Sequence, residues 1–302
     1  MAVTGVADSR LKDALVRIGR EIDSKFDALL PLPADPRSRL IEAMRYAAIG
    51  GGKRLRPLLL TATADMFHVD RDAAVRAGAA VEAIHVYSLI HDDLPCMDDD
   101  DTRHGKPTLH KAFDEATAVL AGDALHDLAY EILADPITSG DPFTRIELVG
   151  ALANASGAHG MAGGQMMDMV AEQSSFDLQT VTRLQQLKTG ALLAASVEMG
   201  AILGKLPPEG RGSLRAYARD IGLAFQIADD LLDHEGDAGL AGKALRKDAD
   251  AGKETFVSLL GPERARTQAQ ALVDQAVAHL AQHGSEAELL RELARYIVER
   301  KH

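Results

Sequence analysis

Residues 81–101 read VEAIHVYSLIHDDLPCMDDDD, an apolar run that turns directly into a block of carboxylates. The spacing of apolar residues from Val81 to Leu94 predicts a buried helix, so Asp92 and Asp93 stand at the end of a core element. Asp92, Asp93 and Asp98 to Asp101 place six carboxylates in ten residues, with no basic residue before Arg103. Taken alone, the block fits either a solvated acidic loop or a divalent-cation site, since oxygen-only ligands favour Mg²⁺ over zinc. On a regular helix Asp92 and Asp98 would point about 240° apart. Pro95 breaks that regularity and lets the two approach.

Outward from this stretch the chain reads as all-α. Leu11, Leu15, Ile18, Ile22, Phe26 and Leu29 recur at three- and four-residue steps and mark a first helix that ends at the Pro31–Pro36 break. Further helices are expected at about 38–49, 56–67, 71–94, 111–134, 142–172, 177–203, 211–234 and 262–299. Strands find little support, because β-branched runs are scarce and no Asn-Gly or Asp-Gly turn separates alternating segments. At about 150 residues per domain, 302 residues allow two domains or one large helical unit. No flexible linker divides the chain, so residues 1–302 are read as a single domain.

Composition excludes several function classes. Hydrophobic residues at 46% and charged residues at 26% exclude disorder as the main description. Lys plus Arg (33) against Asp plus Glu (45) gives −12, which opposes nucleic-acid or anionic-membrane binding. No apolar stretch reaches the roughly 18 residues of a membrane span, and the start lacks the apolar core of a signal peptide. A single cysteine, Cys96, forms no intramolecular disulfide; a reducing cytosol is expected, with Cys96 as a packing residue.

Two more constellations carry chemistry. In Asp229-Asp230-Leu231-Leu232-Asp233, Asp229 and Asp233 leave one helix face about 5–6 Å apart, with Gln226 on the same face. A solvated face remains open for this motif alone; beside the first cluster, the two sets can hold Mg²⁺ around a diphosphate. Gly50-Gly51-Gly52-Lys53-Arg54-Leu55-Arg56-Pro57 sets three cations on a glycine turn at a helix start, where an anion is favoured, though a plain basic turn is also compatible. His85 shares a helix face with Asp92, about 10 Å away.

Together these residues resemble the trans-isoprenyl diphosphate synthase family, and within it the bacterial farnesyl diphosphate synthases, over nearly the whole chain. The resemblance implies an isoprenoid-synthase-type bundle of about ten or more helices around a central active-site cavity. It also implies condensation of isopentenyl diphosphate with dimethylallyl and then geranyl diphosphate. GGKRLRP implies that Lys53, Arg56 and His85 bind isopentenyl diphosphate. DDLPCMDDDDTRHGKPT implies Asp92 and Asp98 as Mg²⁺ ligands and Arg103 on the allylic diphosphate, and FQIADDLLD implies Asp229 and Asp233 as ligands with Gln226 beside them. Lys188, Thr189, Lys243 and Lys253 match positions that line the allylic diphosphate or the cation path, and Gln165 with Asp168 matches a supporting pair. About three Mg²⁺ ions and a homodimer are implied as well.

The chemistry so implied is ionisation of an allylic C–O bond, attack by the isopentenyl double bond on the carbocation, and proton loss to the departed diphosphate, with no nucleophilic serine or cysteine. Tyr87 and Ser88, just before the first aspartate motif, match the C15 pattern of the family's elongation floor; geranylgeranyl diphosphate is the alternative product. A class I terpene cyclase would lack GGKRLRP, and a non-catalytic subunit on the same fold would usually lose an aspartate motif. One departure stands out: the second of two arginines usual after the first motif is His104 here, at a position the family uses to hold isopentenyl diphosphate.

Overall fold

Aspartate caps and short apolar repeats translate into helices almost everywhere along the chain. The computed structural model describes residues 4–171, 174–235 and 253–299. The first helix, α1 (Thr4–Leu29), is followed by α2 (Ser38–Ala48), α3 (Leu55–Asp65) and α4 (Arg71–Asp92). After a two-stranded hairpin, β1 (Thr102–Arg103) with β2 (Lys106–Pro107), come α5 (Leu109–Ala112), α6 (Glu115–Ala134), α7 (Pro142–Ser156) and α8 (Met161–Ala171). Then α9 (Leu178–Gln185) passes through one π-helical turn, Gln186–Gly190, into α10 (Ala191–Leu203). The remainder is α11 (Gly212–Glu235), α12 (Phe256–Leu260), α13 (Pro262–His279) and α14 (Glu288–Glu299).

Side-chain caps fix several starts. Asp70 accepts from Ala73 N at 3.0 Å to open α4, Asp114 from Thr117 N at 2.8 Å to open α6, and Asp177 from Thr180 N at 2.8 Å to open α9. Each such cap contributes about 1 kcal/mol by satisfying a helix-end donor.

The core is one continuous apolar cluster that runs from Leu11 to Ile297. In α1, Leu11, Ile18, Ile22 and Phe26 are buried as the sequence predicts, while Leu15 and Leu29 pack at the edge. Helix α4 is central, touching α1, α2, α3, α6 and α10. Among the described residues it alone is long and apolar enough to cross a membrane, but 72% of its apolar window is buried inside the fold.

Several expected elements divide. The 142–172 helix breaks after Ser156, where extended Gly157 ends α7. The 262–299 helix breaks at Gly284, whose φ of 58° and ψ of −149° are not helical. Phe113 and Asp114 separate α5 from α6, because the Asp114 side chain opens a new helix rather than continuing the old one. The small hairpin was not expected: His104 (φ 51°) and Gly105 (φ 74°) supply the left-handed turn that an Asn-Gly pair would normally provide.

Helices α3 and α10 approach so closely at Gly200 that an added Cβ would lie 2.5 Å from the Leu60 carbonyl and 2.7 Å from Thr63 Cβ. Backbone cannot yield as a flexible side chain can, so Gly200→Ala is expected to cost about 2 kcal/mol by overpacking. A drop of several degrees in the thermal unfolding midpoint would record it.

Candidate active site

The glycine turn between α2 and α3 requires left-handed backbone at Gly50 (φ 76°) and Gly52 (φ 74°), where a Cβ would be strained. Its cations then part company. Arg54 is buried and donates to Glu82 at 2.7 Å, Asp23 at 2.8 Å and the Ala48 carbonyl at 2.6 Å. Arg56 has a buried Nε with no hydrogen-bond partner, and burial lowers its pKa despite the nearby carboxylates Glu82 and Asp229. Lys53 is exposed at the cavity edge.

These residues line a cavity of about 280 Å³ together with His85, Arg103 and His104. His85 is held well below the usual histidine range, first by burial and then by Arg56, His104, Arg54 and Arg103 around it. The pocket is therefore cationic inside an acidic chain, with a neutral imidazole at its centre. The His104 ring lies over the glycine turn: a Cβ on Gly51 would be 3.7 Å from its Cδ2. The hairpin thus places residue 104 in the cavity lining.

At the end of α4 the chain folds back. Asp98 N donates to the Asp92 carbonyl at 2.8 Å and Asp99 N to the Leu94 carbonyl at 3.2 Å, so the break near Pro95 does bring the two ends of the motif together. Burial, with Asp98 and Asp93 nearby, pushes the Asp92 carboxyl up to about 6 against the opposing pull of Lys188 and Arg103. Asp93 points elsewhere: it is 3% exposed and accepts from Arg103 Nε at 3.0 Å and from its Nη2. Asp100 adds a contact to Arg103 at 3.3 Å. Cys96 is exposed rather than packed, because the fold-back places it on the outside of the turn.

Lys188 and Thr189 lie in the π-helical turn, a geometry that recurs at functional sites. Asp168 of α8 holds two lysines, Lys188 at 2.7 Å and Lys253 at 3.0 Å. Burial acts to raise the Asp168 pKa, but the two ammonium groups prevail and lower it. Helix α8 can come this close because Gly164 has no side chain; a Cβ there would lie 2.2 Å from Lys188 N. Gln165, one residue on, has both amide atoms buried without a hydrogen-bond partner.

On α11, the Gln226 amide donates to Gln185 of α9. Asp229 and Asp233 are half-buried, and Asp229 acts on Arg56, which ties the second aspartate motif to the glycine-turn cavity. Asp230 is buried and accepts from Phe256 N at 2.8 Å, anchoring α12. Tyr87 and Ser88 stand one turn before Asp92. Lys243 lies outside the described residues.

Among the described residues no three His, Cys, Asp or Glu side chains form a ready metal cage. The donor set still suits Mg²⁺, which binds through one or two carboxylates plus waters and substrate phosphates rather than a dedicated protein cage. The crowded Asp92 carboxyl, raised partly by its like-charged neighbours, is a group that a cation would relieve.

Residues 37–297 match the polyprenyl synthetase family. The chain belongs to that family. It is 45% identical over 295 residues to the farnesyl diphosphate synthase of Escherichia coli, covering 95% of this chain and 97% of that one. It is 42% identical over 264 residues to a chloroplastic geranylgeranyl pyrophosphate synthase of Catharanthus roseus, covering 87% and 74%. Among solved structures, an apo FPP/GFPP synthase from Zymomonas mobilis is 60% identical with a TM-score of 0.88, covering 96% and 99%. A geranyltransferase from Helicobacter pylori, complexed with magnesium and isoprenyl diphosphate, is 32% identical with a TM-score of 0.78, covering 95% and 96%. Both aspartate motifs and the basic glycine turn lie within the matched residues.

Sequence reasoning omitted Glu82 and Asp23 from the site, because their work is to neutralise Arg54 and no spacing rule reveals a long-range ion pair. Arg54 and Lys53 should separate cleanly by experiment. Arg54→Met leaves Glu82 buried without its partner and is expected to cost about 3–5 kcal/mol in denaturant unfolding. Lys53→Met, at an exposed position, should stay within about 0.5 kcal/mol of wild type.

Proposed function

We propose that this chain is a Mg²⁺-dependent trans-prenyltransferase that condenses isopentenyl diphosphate with dimethylallyl and then geranyl diphosphate to give farnesyl diphosphate. The observation that carries the reading is the pairing of a cation-lined cavity, in which Arg56 has an unpartnered buried donor, with two aspartate motifs that reach it, the first through Asp93 in its lining and the second through Asp229 acting on Arg56. Lys53, Arg56, His85 and His104 are assigned to isopentenyl diphosphate. Arg103, Lys188, Thr189, Gln226, Lys243 and Lys253 are assigned to the allylic diphosphate and its cation.

Asp92, Asp98, Asp229 and Asp233 would hold about three Mg²⁺ ions, which when bound supply Lewis-acid stabilisation of the departing diphosphate. The chain's own contribution is orientation: Asp93 aims the Arg103 fork, and Asp168 gathers the Lys188 and Lys253 ammonium groups before substrate arrives. The apolar lining from Val86, Leu89 and Ile90 limits water beside the isopentenyl site.

Residues 1–302 are assigned to one domain working in the cytosol as a homodimer. Support for the dimer comes from large apolar side chains left exposed on neighbouring helices, Val119 and Leu120 on α6 and Phe143 and Ile146 on α7. Geranylgeranyl diphosphate is the second product reading, favoured by the C20-synthase relatives; the Tyr87 ring argues for C15.

Asp92→Ala and Asp229→Ala should each lower turnover by about three orders of magnitude or more with the helical fold retained, since each removes a charge on which leaving-group stabilisation depends. Near-normal turnover of either variant at saturating Mg²⁺ would rule out shared metal binding by the two motifs.

At reference values a histidine is mostly cationic at pH 6 and mostly neutral at pH 8. If His104 meets the diphosphate, affinity for isopentenyl diphosphate weakens as pH rises from 6 to 8, and His104→Arg lowers KM at pH 8 while flattening the trend. Substrate ionisation also changes over this range, so the two enzymes are compared at each pH; superimposable profiles would remove His104 from the binding set.

A further inference from the structure

The glycine turn leaves α2 and enters α3 through alternating left-handed residues, Gly50 (φ 76°), Gly52 (φ 74°) and Arg54 (φ 53°). Glycines reach such backbone freely, so a turn built on them is soft unless something else fixes it. Arg54 carries a Cβ, and its left-handed conformation persists only where the surroundings impose it.

What imposes it is one carboxylate oxygen on the first helix. Asp23 Oδ1 accepts from Gly50 N at 3.2 Å and from Arg54 Nη2 at 2.8 Å, so it grips the start and the end of the turn together. The same Nη2 donates back to the Ala48 carbonyl at 2.6 Å, which closes residues 48–54 into a loop. Glu82 on α4 takes the other arm of Arg54, Nη1, at 2.7 Å. Asp23 has a rigid mount, since Ile22 and Phe26 beside it on α1 are fully buried.

We infer that Asp23 is a positioning residue for isopentenyl diphosphate, which acts by clasping the glycine turn in the shape that receives the anion. The inference rests on the assignment of Lys53 and Arg56 to that substrate above. Gly50, Lys53, Arg54 and Arg56 all line the cavity. Lys53 lies between the two clasped residues, and Arg56, with its unpartnered Nε, follows two residues after the second. An unclasped turn would have to be ordered by the substrate, and that ordering would be subtracted from binding. The clasp is remote from ionisation of the allylic partner, so its loss falls on one Michaelis constant and spares turnover. Electrostatics alone gives the opposite sign: removing a carboxylate would free the Arg54 charge and tighten the hold on a diphosphate.

The test is steady-state kinetics of the full chain with Mg²⁺, varying isopentenyl diphosphate at saturating geranyl diphosphate and then the reverse. Asp23→Ala should raise KM for isopentenyl diphosphate about tenfold, as expected for loss of one charge-assisted clasp. Its kcat and its KM for geranyl diphosphate should stay within about twofold of wild type. Asp23→Asn, which keeps an acceptor for Gly50 N, should recover most of the loss. The Asp23 side chain is 35% exposed and Glu82 still neutralises Arg54, so both variants keep the fold. Hydrogen exchange gives a second reading: amides 49–54 of free Asp23→Ala should exchange about tenfold faster than wild type, and saturating isopentenyl diphosphate should close the gap.

An unchanged KM for isopentenyl diphosphate in Asp23→Ala, beside normal turnover, would overturn the inference and leave the proposed function intact. A lowered KM would overturn it too, by making Asp23 a mask on the Arg54 charge. Equal losses for both substrates would make it a general support of the fold and would overturn the positioning role. A wild-type chain that forms no prenyl product from the two substrates would overturn both readings together.

Discussion

The structure depends on a concentration of positive charge that the protein itself does not fully neutralise. Arg54, Arg56, Arg103 and His104 surround His85, which answers by staying neutral. Each arginine is treated differently. Arg54 is closed off by Glu82 and Asp23, Arg103 is oriented by Asp93 and Asp100, and Arg56 keeps a buried donor free of any hydrogen bond. A buried donor on a cation left without a hydrogen bond costs free energy in the empty protein, and an anion bound there would lower that cost.

The opposite imbalance holds a few residues away. Asp92 is pushed up by burial and by its acidic neighbours, a local excess of negative charge at the end of the central helix α4. Arg103 joins the two clusters directly through Asp93 and Asp100, which leaves Arg56 and Asp92 as the groups that a diphosphate bound with divalent ions would satisfy. Lys188 pairs with Asp168 yet also acts on Asp92.

Much of this was legible in the sequence, and what was hidden has identifiable causes. Helical period marks α1, α4, α6 and α11 because that signal is local. Breaks at Gly157 and Gly284 were missed because a glycine in a helical pattern is often tolerated, and only tertiary packing decides. The His104-Gly105 hairpin escaped because histidine is an uncommon left-handed turn residue. At the site, Lys53, Arg56, His85, Arg103 and His104, which line the cavity, were named from the sequence through the family resemblance. The partners of Arg54 were not: Glu82 lies 28 residues from it and Asp23 lies 31. Cys96 was misassigned because an apolar neighbourhood in sequence became an exposed turn in space.

The paired aspartates show why the motifs take the form they do. Consecutive residues on a helix point about 100° apart, so an Asp-Asp doublet cannot aim both carboxylates at one ion. In the first motif Asp92 stands toward Lys188 while Asp93 turns inward to hold Arg103. In the second, Asp229 acts on Arg56 while Asp230 turns inward to accept from the start of α12. Each doublet therefore divides its labour, one carboxylate for the cleft and one for the frame that shapes it. Replacing the second aspartate of either pair would disturb the site indirectly, through an unanchored arginine or an uncapped helix. A loss of activity at Asp93 or Asp230 consequently carries no evidence of metal ligation, whereas the same loss at Asp92 or Asp229 with the frame intact does.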